Sequence, residues 1–98
     1  MHPAQPQPVV RIENGPDYRE NYSNSVQLRM SLWDFLLTFG LMRQTGPETV
    51  IIQNFQGIYL SPQQAKALMN VLITNIQQYE AAFGEIRLEP QTGAGPVQ

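Results

Sequence analysis

The sequence predicts an α+β protein, a three- or four-stranded antiparallel β-meander followed by one long C-terminal helix packed on one sheet face. Two observations support this class: apolar and polar residues alternate over the middle of the chain, and an apolar stripe of helical spacing follows. The 98 residues suffice for one domain. We expect that domain over 22–88, preceded by a mostly disordered arm (1–21) and followed by a disordered tail (89–98).

The strands are predicted from alternation. Residues 23–31 alternate between polar and apolar side chains, which predicts a strand with one buried face. Residues 35–39 predict a second strand, and both of its faces need cover because nearly all of its side chains are apolar. A loop is expected over 41–48, and 49–60 is the third strand. Near 54–57 that stretch either carries a bulge or turns between two short strands.

The helix is predicted from its ends and its spacing. Ser61 is a natural N-cap, Pro62 suits the first helical position, Gln64 completes a capping box, and Gly84 ends the helix. Burial of the apolar stripe should contribute about 1.5–3 kcal/mol per large side chain and anchor the fold. The stripe consists of Ala65, Leu68, Met69, Leu72, Ile76, Tyr79 and Phe83.

The composition argues against several classes of site. The chain has no cysteine and a single histidine, His2, so disulfides and the usual zinc sites are not expected, and neither is a cofactor. The net charge of −2 gives no electrostatic reason to expect nucleic acid or an anionic membrane. No basic start with an apolar run resembles a signal peptide, and no apolar stretch is long enough for a membrane span, so we expect a cytoplasmic protein.

The distribution of apolar residues indicates a homo-oligomer, a dimer or higher. One helix covers one face of a sheet, yet the second face also carries apolar residues that need cover. A second copy, packed sheet to sheet or edge to edge with two-fold symmetry, would supply it. Alternatively, the apolar residues near 9–12 fold back over the sheet, as an edge strand or as an arm. The candidate interface residues are Trp33, Leu36, Val50 and Ile51.

Two other functions are weighed from the residues. Strand aromatics could stack bases of a single-stranded nucleic acid, although few basic residues accompany them; the candidate contacts are Arg29, Trp33, Arg43 and Tyr59. A catalytic site is not expected, because the acidic residues share no motif that pairs them for acid–base chemistry. These acidic residues are Asp34, Glu48, Glu80 and Glu85.

Two stretches resemble the domain of unknown function 3467 family, a family of short bacterial proteins. The first is Tyr22-Ser23-Asn24 with the run from Ser31 to Gly40, and the second is Leu60-Ser61-Pro62-Gln63-Gln64-Ala65-Lys66 continuing to Phe83-Gly84-Glu85-Ile86. The resemblance covers 22–86 and implies the same order of strands and helix, but no activity. The sequence departs from the family's form at Leu32, Trp33 and Thr38, where proline, tyrosine and an acid are usual.

We therefore expect a non-catalytic, homo-oligomeric protein-interaction module, either an adaptor or a chaperone-like binder, that also contacts a protein partner. The alternative is a single-stranded nucleic-acid-binding protein built from a sheet and a helix.

Overall fold

A computed structural model describes residues 7–88; the predicted tail (89–98) and the first six residues of the predicted arm lie outside this range. The chain forms three strands and one helix, in the order β1 (Ser25–Met30), β2 (Phe35–Gln44), β3 (Val50–Leu60) and α1 (Pro62–Phe83). The strands make one antiparallel sheet with the order β1-β2-β3. The predicted α+β class and the order of its elements are confirmed.

A tight turn joins β1 to β2. Met30 pairs with Phe35, and the four residues between them form the connection. The Ser31 hydroxyl accepts hydrogen bonds from the main-chain N–H groups of Trp33 and Asp34, both at 3.1 Å. The Ser31 N–H donates to the Asp34 carbonyl at 2.8 Å. These bonds fix the turn without glycine and leave its two central side chains facing solvent.

β2 is longer than the sequence predicted. It continues through Gly40 to Gln44, so the predicted loop over 41–48 is wrong in its first four residues. A Cβ atom at Gly40 would lie 2.7 Å from Asn54 Oδ1 and 2.9 Å from the Gln53 carbonyl oxygen. Glycine therefore marks a close approach of β3 inside the sheet rather than the end of a strand.

β3 is one strand with a bulge. Phe39 pairs with Gln56 while Gly40 pairs with Asn54, so Phe55 is the extra residue on β3. The bulge lies within the predicted region 54–57, and the alternative of two short strands is wrong. A bulge reverses the alternation of side chains beyond it.

The two faces of the sheet follow from the register, because paired residues point to the same side. One face, called the cleft face because it borders a cleft beside α1, carries the cross-strand row Leu28, Leu37 and Ile58. The outer face carries the row Arg29, Leu36 and Tyr59.

The arm does not cover the sheet in the structure. Described residues before Ser25 form neither helix nor strand, so the edge-strand alternative near 9–12 is wrong. Val9, Val10 and Ile12 are almost fully exposed, which leaves the sheet's apolar residues without cover from this segment.

Helix α1 begins and ends where the sequence predicted. The Ser61 hydroxyl accepts from the Gln64 N–H at 3.1 Å, and Gly84 adopts φ 105° with its N–H donating to the Glu80 carbonyl at 3.0 Å. The Glu80 carboxylate accepts from the Ile86 N–H at 2.8 Å, which fixes the chain after the helix. No residue of α1 is buried, so the burial expected for its apolar stripe is not completed within one chain.

Candidate interaction surfaces

An open apolar cleft separates the cleft face from the first half of α1. It has a volume of about 630 Å³. The sheet contributes Leu28, Phe35, Leu37 and Leu60, and the helix contributes Pro62, Ala65, Lys66, Leu68, Met69, Leu72 and Ile73. Among these lining residues Lys66 alone is charged, so the cleft suits an apolar occupant with one anionic group near its edge.

The second half of α1 continues the apolar stripe beyond the cleft. Ile76, Tyr79 and Phe83 lie on it, none of them lines the cleft, and all three are exposed. The rings of Tyr79 and Phe83 pack against each other with centroids 5.0 Å apart, which makes one continuous aromatic surface. One chain therefore presents both an apolar cleft and a projecting apolar helix.

The β1–β2 turn is a third apolar surface. The side chains of Leu32 and Trp33 are 80% and 79% exposed at its tip, and Met30 beside them is 75% exposed. Because Phe35 pairs with Leu60, the turn lies at the end of the sheet where α1 begins.

The four predicted interface residues do not form one surface. Leu36 and Val50 lie on the outer face, half-buried and at opposite ends of the sheet. Ile51 pairs with Arg43 on the cleft face, because the bulge at Phe55 reverses the alternation along β3. Grouping Ile51 with Leu36 on one face is therefore wrong.

The candidate nucleic-acid contacts are divided as well. Arg29 and Tyr59 share the outer-face row, near the turn that carries Trp33. Arg43 lies at the far end of the sheet on the cleft face, where its guanidinium donates to Gln53 Oε1 at 2.7 Å. The register therefore offers one arginine beside the aromatics, fewer than a phosphate track needs.

A second groove, of about 580 Å³, lies between the arm and the part of β2 and β3 around the bulge. Its lining mixes charged, polar and apolar residues: Asp17, Arg19, Asn21, Tyr22, Leu41, Phe55 and Gln56. Nearby in the arm, the Tyr18 hydroxyl donates a 2.6 Å hydrogen bond to Glu20. That bond, with slight desolvation, raises the pKa of Tyr18 from its ordinary value of 10.0.

The acidic candidates Asp34 and Glu80 lie on different elements. Asp34 belongs to the β1–β2 turn. Glu80 is half-buried and accepts a hydrogen bond from the Ile86 N–H, so it does not lie on a purely solvated face of α1. Within 7–88 no three His, Cys, Asp or Glu side chains come close enough to share a metal ion. In the same range no helix has the length and apolar character needed to cross a membrane.

Comparison with protein families assigns this chain to one of them. The model of the family described as "Protein of unknown function (DUF3467)" matches residues 2–88. The chain belongs to the DUF3467 family. No curated protein and no solved structure shows significant similarity to this DUF3467 protein.

Sequence reasoning did not find the cleft of this DUF3467 protein. The apolar residues of both walls are evident in the sequence, but they predict a helix packed directly on the sheet, with no cleft between them. No local signal in the sequence shows that α1 leaves the cleft open, because the placement of a helix against a sheet depends on tertiary packing.

Proposed function

We propose that this DUF3467 protein is a non-catalytic, homo-oligomeric protein-interaction module of the cytoplasm, an adaptor or a chaperone-like binder. One observation carries the proposal: in the described part of the chain no apolar side chain is buried. A domain of this size folds because apolar burial, worth about 25 cal/mol per Å², offsets the conformational entropy lost on ordering. A chain that buries so little by itself needs a second chain to supply the core.

The extent of exposed apolar surface supports association with other protein chains. Three apolar surfaces lie on one molecule: the cleft, the second half of α1, which continues the stripe beyond the cleft, and the β1–β2 turn, at the end of the sheet where α1 begins. Soluble monomers rarely expose continuous apolar patches larger than a few hundred Å². The cleft and the helix supply the self-association, and we assign the turn to a protein partner.

Mass measurement tests the oligomer. Native mass spectrometry of the protein purified from its own host, with sedimentation velocity at several concentrations, should give a dimer or higher species. A monomer at micromolar concentration would overturn the proposal. A host protein retained with the oligomer identifies the partner.

The role of the turn needs a separate variant. Trp33→Ala should leave the oligomer mass unchanged and reduce recovery of the retained host protein at least tenfold. Phe55→Ala, which removes a partly exposed aromatic side chain at the bulge in the middle of β3, is the control. Equal recovery from Trp33→Ala and wild type would exclude the turn as the partner's contact.

The nucleic-acid alternative is tested with the same protein. Fluorescence anisotropy of a labelled single-stranded oligonucleotide at low salt should show no binding if the protein is an interaction module. Binding that weakens steeply with salt, and is lost in Arg29→Ala, would favour the alternative instead.

A further inference from the structure

The apolar stripe of α1 has the spacing of a coiled-coil seam. Its central residues are separated by alternating steps of four and three, which is a seven-residue repeat with two apolar positions. They are Ala65, Met69, Leu72, Ile76, Tyr79 and Phe83. A repeat of 3.5 residues keeps one seam facing another helix along its whole length, whereas a helix lying on a sheet has no such requirement.

The seam is also symmetric about Thr74. In an antiparallel pair of identical helices centred there, Ala65 lies opposite the partner's Phe83, and the reverse contact forms at the other end. Met69 likewise lies opposite the partner's Tyr79, and Leu72 opposite the partner's Ile76. In the two outer layers a small or slender residue of the first half meets an aromatic residue of the second half, and in the central layer Leu72 and Ile76, which are equal in size, meet, as complementary packing needs.

The charged residues beside the seam support the same orientation. Lys66 and Glu80 occupy equivalent flanking positions two heptads apart. In the antiparallel pair Lys66 lies beside the partner's Glu80 at both ends, which places opposite charges together. A parallel pair would put Lys66 beside the partner's Ser61 and Glu80 beside the partner's Asn75, with no charge pairing.

The cleft fits this arrangement. Its helical wall is the first half of α1, and the antiparallel partner places its own second half against that wall. The partner's Ile76, Tyr79 and Phe83 would then lie between the first half of α1 and the cleft face. The seam alone is short, just under three heptads, so the sheet's contribution to each end supplies apolar contact that an isolated helix pair would lack.

We propose that a second copy of this chain occupies the cleft, in a two-fold dimer whose α1 helices pair antiparallel about Thr74 and whose second halves each close the other's cleft. The inference rests on the proposed homo-oligomer and deepens it. In this dimer the two chains associate through their α1 helices rather than sheet to sheet. The β1–β2 turns then lie at opposite ends of the dimer.

Disulfide cross-linking tests the pairing in the full chain, which has no cysteine of its own. Positions 65 and 83 are about 27 Å apart along one helix, too far for a bond within a chain, because a disulfide needs Cβ atoms about 4 Å apart. The variant Ala65→Cys/Phe83→Cys, oxidised with diamide, should run as a covalent dimer on a non-reducing gel. Met69→Cys/Tyr79→Cys is a second matched pair in case the first variant fails to fold by circular dichroism.

Mismatched variants provide the control. Ala65→Cys/Tyr79→Cys lies out of register by one helical turn and should cross-link at least tenfold less, as should each single cysteine variant. Efficient cross-linking of the single variants would indicate parallel helices and overturn the proposal. Equal cross-linking of matched and mismatched pairs would overturn the fixed register.

Sedimentation of the wild-type protein distinguishes a failure of the helix pairing from a failure of the homo-oligomer. A dimer whose matched variants fold but do not cross-link would overturn the helix pairing and leave the homo-oligomer standing. A monomer would overturn both.

Discussion

The side-chain amide of Asn24 pairs with both main-chain groups of Met42. Its Oδ1 accepts from the Met42 N–H at 2.6 Å, and its Nδ2 donates to the Met42 carbonyl at 3.3 Å. The amide thus copies a main-chain partner and continues the β1–β2 ladder beyond its last residue pair, Ser25 and Gly40. This gives a structural reason for asparagine in the stretch that resembles the DUF3467 family.

Asn24→Ala should destabilise the protein by about 1–2 kcal/mol, because two hydrogen bonds of about 0.5–1.5 kcal/mol each are lost. Urea unfolding at a fixed protein concentration measures the change, since the midpoint of an oligomer depends on concentration. Asn14→Ala, in the exposed arm, should leave the midpoint unchanged. Equal midpoints for Asn24→Ala and wild type would show that water replaces the amide at no cost.

Two neighbouring serines should respond in opposite ways. The Ser23 hydroxyl oxygen lies 2.9 Å from the carbonyls of Ser25 and Gly40 and accepts from the Gly40 N–H at 3.2 Å. Ser25 is only 4% exposed, and its hydroxyl has no hydrogen-bond partner in the described chain.

Ser23→Ala should therefore cost about 1–2 kcal/mol, whereas Ser25→Ala should be neutral or stabilising by up to about 1 kcal/mol, because it removes an unsatisfied buried group. Thermal unfolding of both variants at one concentration measures the difference. A larger loss for Ser25→Ala than for Ser23→Ala would show that the Ser25 hydroxyl has a partner in the assembled protein.

Gly40 should not tolerate a side chain. Gly40→Ala places its Cβ 2.9 Å from the Gln53 carbonyl oxygen, a main-chain atom that cannot move without disturbing β3. We expect a loss of about 1–3 kcal/mol, typical of overpacking. In Gly46→Ala nothing lies within 4 Å of the new Cβ, so this control should be close to neutral. Chemical denaturation of the two variants side by side measures the difference in stability. Equal stabilities would contradict the close approach of β3 to Gly40.

Charge reversal should weaken the dimer and charge exchange should restore it. In the antiparallel pair, Lys66→Glu replaces two attractive contacts by two repulsive ones, each worth about 0.2–1 kcal/mol, so the dimer Kd should rise about tenfold. Lys66→Glu/Glu80→Lys should recover most of that loss. The Kd comes from sedimentation equilibrium at low salt, where exposed charge pairs are least screened.

A neutral variant of Glu80 is the control for the charge-reversal experiment. Glu80→Gln retains a side-chain oxygen that can accept from the Ile86 N–H, so it separates the interchain charge from the bond that fixes the chain after α1. It should raise the Kd less than Lys66→Glu does. If the double exchange is no better than Lys66→Glu alone, the two residues are not neighbours across the interface.

Local signals were enough to predict the helix. A serine cap, a proline at the first position and a glycine with left-handed φ act through the nearest main-chain groups, so α1 runs between Ser61 and Gly84 as expected. The alternation of residues 23–31 likewise predicted β1, to within two residues at its start.

The predictions from sequence were wrong where the position of one element depends on its pairing with another. The predicted second strand stops at residue 39, but β2 continues through Gly40, whose role is set by Asn54 and Gln53 across the sheet. The bulge at Phe55 was predicted within four residues, yet its consequence for Ile51 depends on the register with β2. Strand ends and faces are decided by pairing partners that are distant in sequence, which alternation alone does not specify.

The sequence by itself determined which segments form strands and helix, because capping and periodicity act over a few residues. It also determined that apolar side chains exceed what one small sheet and one helix can cover. Only the tertiary structure decided where that excess lies: on both walls of an open cleft and along the second half of α1. The physical reason is that burial depends on how elements are placed in space, and within one chain α1 approaches the sheet without closing on it.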